Sequence, residues 1–314
     1  MTTAKTTRFL TAESSEGPEI QIPVATIEGA NDGPTMLIVA GVHGSEYVGL
    51  EAVRRLHHTI DPAELSGRLI TVPCFGLPAF YGFATHVNPI DGLNPGREFP
   101  GDPEGSFTQR AAHLLWTELV SQADIVVDVH GGDLEEELTE YVQVNLTGDD
   151  DVDNRSIDLA RSFGFELLVT SPAPAEQPAS GNLFAMAAAH GKAGVLTEAG
   201  SHGILDMELV DWYHDRLVDG VRGMGLLPGE APEVEHRQLY RFGGSFAPVD
   251  GCWYPSVMEG DTVTAGQKVG EMRDVFGEHV CDVFVEEDAV VLGVMTIPGR
   301  PEGSMLIGYA TVNA

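Results

Sequence analysis

Apolar residues follow two rhythms along the chain. Short unbroken runs recur at 36–40 (MLIVA), 68–72 (RLITV), 124–129 (DIVVDV), 141–146, 166–170 and 193–197 (AGVLT). Runs of this length, bounded by turn residues, predict buried strands. Between them, apolar positions three and four apart predict helices over 46–60, from Ser106 onward, and over 154–164, 182–190 and 205–226. Ser106 with Gln109 fits a capping box. Strands alternating with helices predict an α/β fold built on a mostly parallel, mixed sheet flanked by helices.

Several stretches break the rhythm. Residues 1–34 are polar apart from the alternating segment 19–27 (EIQIPVATI), which reads as an edge strand or hairpin because Pro23 lacks an N–H for a central ladder. Residues 76–105 are rich in proline and glycine and have no period. A structureless segment of that length inside a compact domain is usually functional. The acidic run 149–153 reads as a solvated turn and 171–180 (SPAPAEQPAS) as a loop. At 227–240 the pattern dissolves into a linker. Beyond it, short Val, Ile and Tyr runs between glycine turns predict a small all-β domain over 241–314, after an α/β domain over 1–226.

Composition narrows the function classes. The 314 residues are 43% hydrophobic, enough for a globular core. Acidic residues outnumber basic ones 48 to 17, for a net charge of −31. Such a surface repels nucleic acid and anionic membranes, and it suggests adaptation to high salt, where screening relieves self-repulsion. Cys74, Cys252 and Cys281 lie far apart with no CxxC spacing, as buried small hydrophobes do. Neither an apolar leader nor a membrane-length apolar run occurs, so a soluble cytoplasmic protein is expected. A homo-oligomer is compatible with the chain.

The candidate chemistry sits at strand ends. His43 and Glu46 (HGSE) follow the first buried strand, His130 follows the third, and Glu198 ends another. In parallel sheets ligands bind outside the carboxyl ends of the strands. Two histidines and a carboxylate with an open fourth position make a catalytic rather than a structural zinc set. Strand alternation puts Asp128 on the same side as His130, where it can orient the imidazole. Glu198, in an otherwise small and apolar GVLTEAG, fits a general base. In the proline-glycine loop, Arg97 is suited to bidentate binding of a substrate carboxylate, or to stapling the loop through Asp91, Glu98 or Asp102. Asn94 and His86 are further candidates there.

HGSE, the NPIDG and FPGD loop, DVHGGD and TEAG, in that order, resemble the succinylglutamate desuccinylase/aspartoacylase family, of zinc-carboxypeptidase-like fold, over residues 18–314. The resemblance implies one zinc ion per chain held by His43, Glu46 and His130, with Glu198 activating water. It also implies a C-terminal β domain that shapes the site. That segment is similar to a biotinyl/lipoyl-type sandwich (GDTVTAGQKVGEM) but has no lysine at the carrier position. Members with a similar loop are deacetylases of N-acetyl-diaminobutyrate. Where they have NLNR, this chain has Asn94-Pro95-Gly96-Arg97, and His86 stands where they have the arginine that polarises the scissile carbonyl. The expected function is zinc-dependent hydrolysis of the amide of an N-acylated amino acid or related small molecule. The alternatives are a zinc carboxypeptidase acting on peptides and a non-catalytic small-molecule-binding homologue.

Overall fold

A computed structural model describes residues 4–13, 18–172 and 181–314. Of the loop read at 171–180, residues 173–180 lie outside the described residues. In chain order the first elements are β1 (Ala4–Ala12), β2 (Ile20–Glu28), β3 (Asn31–Ala40), α1 (Tyr47–Thr59), β4 (Ser66–Val72), α2 (Leu77–Gly82), α3 (Phe107–Glu118) and β5 (Ile125–His130). Then follow β6 (Glu136–Leu138), β7 (Tyr141–Leu146), α4 (Asp150–Ser162), β8 (Leu167–Pro172), α5 (Leu183–Ala189), β9 (Ala193–Glu198), α6 (Met207–Gly223) and β10 (Arg237–Leu239).

Nine of these strands form one sheet in the order β1-β2-β4-β3-β5-β9-β7-β8-β10. The central four, β4, β3, β5 and β9, are parallel, while β7 runs antiparallel to β9. Helices cover both faces, which is why β3 is apolar without alternation. Met36, Ile38 and Ala40 pack with α1 and α6, whereas Leu37 and Val39 pack with α3 and α5. The expected mixed α/β fold is what the chain adopts.

Of the two arrangements expected for the segment carrying Pro23, the hairpin holds, since β2 pairs antiparallel with β1 along its whole length, and the edge strand is corrected, since β2 is second from the edge. The proline is tolerated because β4 pairs with β2 only from Ala25 onward, so nothing beyond β1 requires its missing N–H. The acidic run is a second correction: it opens α4. Asp149 accepts from the N–H groups of Asp151 (3.0 Å) and Val152 (3.4 Å), and the helix dipole favours the carboxylates of the first turn.

The remaining strands are β11 (Phe242–Phe246), β12 (Gly251–Pro255), β13 (Thr262–Val263), β14 (Lys268–Arg273), β15 (His279–Phe284), β16 (Ala289–Met295), β17 (Gly299–Arg300) and β18 (Met305–Thr311). They form two antiparallel sheets around a core that includes Trp253, Val269, Val291 and Ile307. Division of the chain at 226 and 241 is a proposal about organisation, and backbone pairing crosses it twice. Within 227–240, β10 adds to β8 of the large sheet, and β6 pairs with β16. Lys268 lies on β14, bonded to Glu271 (2.8 Å) and Asp282 (2.7 Å), rather than on a turn. Among the described residues, no helix is long and apolar enough to cross a membrane.

Candidate active site

The carboxyl ends of β3, β5 and β9 are neighbours, and His130 stands in register with Glu198. After β3 the chain turns through Gly41, at φ +61°, where a Cβ would lie 2.9 Å from the Cα of Cys74. Only glycine fits that turn without strain. The loop then presents His43 and ends at Glu46, which opens α1. His43 Nδ1 lies 2.6 Å from Glu46 Oε1, and His130 Nδ1 lies 3.2 Å from Glu46 Oε2. Each imidazole is held from its other side: His43 Nε2 by Asn94 Oδ1 (3.1 Å) and His130 Nε2 by Asp128 Oδ1 (3.1 Å). Asn94 Oδ1 also accepts from the N–H of Gly96 (2.8 Å).

Two ring nitrogens and a carboxylate therefore converge, their donor atoms within 4.8 Å of one another. Burial pushes the Glu46 carboxyl upward, but His130 and His43 outweigh it and bring it to about 2. Burial lowers the His130 pKa, yet Glu46 and Asp128 raise it well above the usual value. Glu46 Oε2 is buried and makes no well-formed hydrogen bond. An ionised carboxylate between two imidazoles, each with a partner on its far nitrogen, is a donor set that suits zinc.

Glu198 sits beside this cluster with Oε2 buried and without a partner among the described residues. Burial holds its carboxyl well above the usual range, with His130 pulling down and Glu46, Glu136 and Asp128 pushing up. Tyr213 of α6 ties the strand ends together: its hydroxyl donates to the carbonyl of His130 (3.2 Å) and shares a hydrogen bond with Thr197 Oγ1 (2.7 Å).

A cavity of about 390 Å³ opens over these groups. His43, Glu46, His86, Asn94, Arg97, His130 and Glu198 all line it, whereas Asp128 stands behind His130. Arg97 donates to the Gly96 carbonyl (3.1 Å) and forms no ion pair among the described residues. The loop is stapled otherwise: Asp91 caps Thr108 (2.7 Å) and Glu98 accepts from Gln109 (3.0 Å). Arg97 is thus left facing the cavity. His86 is not free in the same way. Its ring lies 3.2 Å from Glu135 Oε1 and 3.4 Å from Asp133 Oδ2. Its backbone, at φ +51°, donates to Asp133 Oδ2 (2.6 Å).

Sequence reasoning missed Glu136 and Tyr141. Both line the cavity, Tyr141 because β7 pairs with β9 and sets it opposite Glu198. The far wall includes Phe242, Leu292, Met295 and Met305 from the C-terminal strands.

Comparison with known proteins finds relatives over most of the chain. The N-alpha-acetyl-L-2,4-diaminobutyric acid deacetylase of Halomonas elongata is 28% identical over 283 residues, covering 87% of this chain and 80% of that protein. A succinylglutamate desuccinylase/aspartoacylase structure from Rhodobacter sphaeroides superposes with a TM-score of 0.86 at 24% identity, over 99% of this chain and 96% of the other. The product-bound ectoine utilization protein EutE (DoeB) of Ruegeria pomeroyi also gives 0.86 at 24% identity, over 98% and 95% of the two chains. Both likenesses establish the fold. The family model for the succinylglutamate desuccinylase/aspartoacylase catalytic domain matches residues 32–217, from β3 through most of α6. The chain belongs to the succinylglutamate desuccinylase/aspartoacylase family.

Proposed function

We propose that the chain is a zinc-dependent deacylase that cleaves the amide of an N-acylated amino acid with water. One observation carries this reading: the His43, Glu46 and His130 donors share a cavity with the carboxyl of Glu198, whose Oε2 is buried and without a partner among the described residues. His43, Glu46 and His130 would hold the metal, which when bound supplies Lewis acidity and lowers the pKa of water from 15.7 to about 7. Glu198 takes the proton from the attacking water as the new C–O bond forms. It returns that proton to the amide nitrogen as the C–N bond breaks, releasing a carboxylate and an amine. A carboxyl raised by burial is suited to both transfers. Asp128 orients the His130 ring, and Asn94 the His43 ring. Arg97 binds the substrate carboxylate, and cationic His86 adds positive potential near the scissile carbonyl. The C-terminal strands close the far wall around the acyl or side-chain portion.

The test is hydrolysis of N-acetyl, N-succinyl and N-formyl amino acids by zinc-loaded protein, with Glu198→Gln as control. Loss of general acid–base chemistry lowers kcat by roughly 10²–10⁴, while bound zinc stays at one per chain because Glu198 is not a ligand. Equal turnover by Glu198→Gln refutes the assignment. Cleavage of a peptide panel without N-acyl amino acids would instead indicate a carboxypeptidase.

A further inference from the structure

Three loops gathered around Asp133 turn apolar side chains outward. Asp133 is buried, and its carboxylate accepts the His86 N–H (2.6 Å) and the Ser45 hydroxyl. This fixes the loop after α2 against the turn that follows β5. The loop after β9 closes on the same turn: Gly203 donates to the Gly132 carbonyl (3.2 Å), and a Cβ on it would lie 2.6 Å from Leu134 Cδ2. Phe83, Val87, Leu134, Ile204 and Leu205, from these three segments, are all exposed, Phe83 by 75% and Ile204 by 60%. Phe83 is held there at a cost. It ends α2 in the left-handed conformation (φ +53°), where glycine or asparagine is usual. A bulky side chain in that conformation is strained, and burial within the chain does not offset the strain. Among the described residues, His86 (φ +51°) and His202 (φ +58°) are the only other non-glycine residues of positive φ, and they lie in the same loops. Strain of this kind gathers where a surface is held for a contact.

Charge decides what covers the patch. The chain has no Asp, Glu, Lys or Arg over 69–90 or over 199–205, although its net charge is −31. A basic partner is drawn to the acidic surface elsewhere and gains nothing from a neutral face. A strongly acidic partner can approach closely only where carboxylates are absent. The chain most alike in charge is a second copy, and an uncharged apolar patch is complementary to itself. The exposed Val275 and Phe276, by contrast, stand between Asp274 and Glu278. We propose that the Phe83, Val87, Leu134, Ile204 and Leu205 patch is the contact between two copies of the chain, paired about a two-fold axis. The inference does not depend on the deacylase reading. His86, which lines the cavity, lies between Phe83 and Val87 in sequence, so the second copy borders the cavity mouth.

Sedimentation equilibrium of the full chain tests this. A monomer–dimer equilibrium with a dissociation constant of roughly 1–50 µM is expected in about 1 M NaCl, weakening at about 0.1 M, where the two like-charged copies repel more strongly. Phe83→Gly suits the left-handed turn and so keeps the fold, while Ile204→Ser alters a different loop. Each is expected to raise the dissociation constant at least about tenfold. Phe276→Ser, on the other exposed apolar pair, is expected to leave it unchanged. A chain that stays monomeric up to about 200 µM in about 1 M NaCl overturns the proposal. So does a dimer that persists in both Phe83→Gly and Ile204→Ser, or one that Phe276→Ser disrupts. If the monomer instead binds an N-octanoyl amino acid more tightly than its N-acetyl counterpart, and Phe83→Gly abolishes the difference, the patch serves an apolar acyl group and the dimer contact is refuted.

Discussion

At His86 the balance of charge is set over distances of 3–4 Å. Burial pulls the imidazole pKa down, but Glu135, Glu136 and Asp133 outweigh it and lift it to about 9. The folded chain therefore holds this proton more tightly than the unfolded chain, whose histidine titrates near 6.5. The resulting stabilisation is complete below about pH 6.5 and is lost as pH climbs through 9. His86→Asn removes it. The gap in unfolding free energy between wild type and His86→Asn is expected to shrink, by on the order of 1–2 kcal/mol, between pH 6 and pH 9.5. Urea unfolding at the two pH values measures this, and a gap independent of pH would contradict the cationic assignment. The same acidic surroundings keep the ring charged at neutral pH, which the role proposed for it near the scissile carbonyl requires.

Strand ends set the site at the next scale up, and α6 holds two of them. Tyr213 bonds the His130 carbonyl and Thr197 from one buried hydroxyl, so Tyr213→Phe takes that contact from Thr197 Oγ1 and leaves the His130 carbonyl with the Ala199 N–H (3.3 Å). A loss of about 1–2 kcal/mol in urea unfolding is expected, with zinc content retained. A cost below about 0.3 kcal/mol would show that the strand ends are fixed without this tie. Such elements differ in how far the sequence discloses them. β3, β5 and β9 announce themselves because burial on both faces makes their apolar runs continuous, and their carboxyl ends deliver His43, from the loop after β3, and His130 and Glu198 to one edge. β1 was invisible because most of its residues are exposed and polar, leaving only Leu10 buried to mark it. β6 and β10 are three residues each, too short for any period, and exist through pairing with β16 and β8. Glu136 and Tyr141 were illegible for the same reason. Their position in the cavity follows from partners distant in sequence, whereas the HGSE motif carries its geometry locally. The acidic run 149–153 misled because carboxylates suit a helix N-terminus as well as a solvated turn.

For the whole molecule the dominant quantity is the net charge of −31. Many of the basic residues are already committed to ion pairs: Arg54 and Arg55 to Glu51, Arg68 to Glu28, Arg222 to Asp219, Arg273 and Lys268 to Glu271. Exposed pairs of this kind contribute about 0–1 kcal/mol each and weaken with salt. The carboxylates left over repel one another, and that repulsion also weakens with salt. The two effects oppose, and their numbers decide between them, because unpaired acidic groups far exceed the paired ones. Raising ionic strength from 0.1 M to 1 M shortens the screening length from about 10 Å to about 3 Å, below the spacing of most surface charges. We therefore expect NaCl to raise the melting temperature by several degrees across that range, in line with roughly 1–2 kcal/mol in a domain of this size. Calorimetric melting in a NaCl series measures it. Screening should level off near 1 M, whereas preferential exclusion of salt from the surface would keep raising stability in proportion to concentration. A melting temperature flat or falling up to 1 M would mean that the acidic surface is tolerated at low salt, and adaptation to high salt would no longer account for the composition.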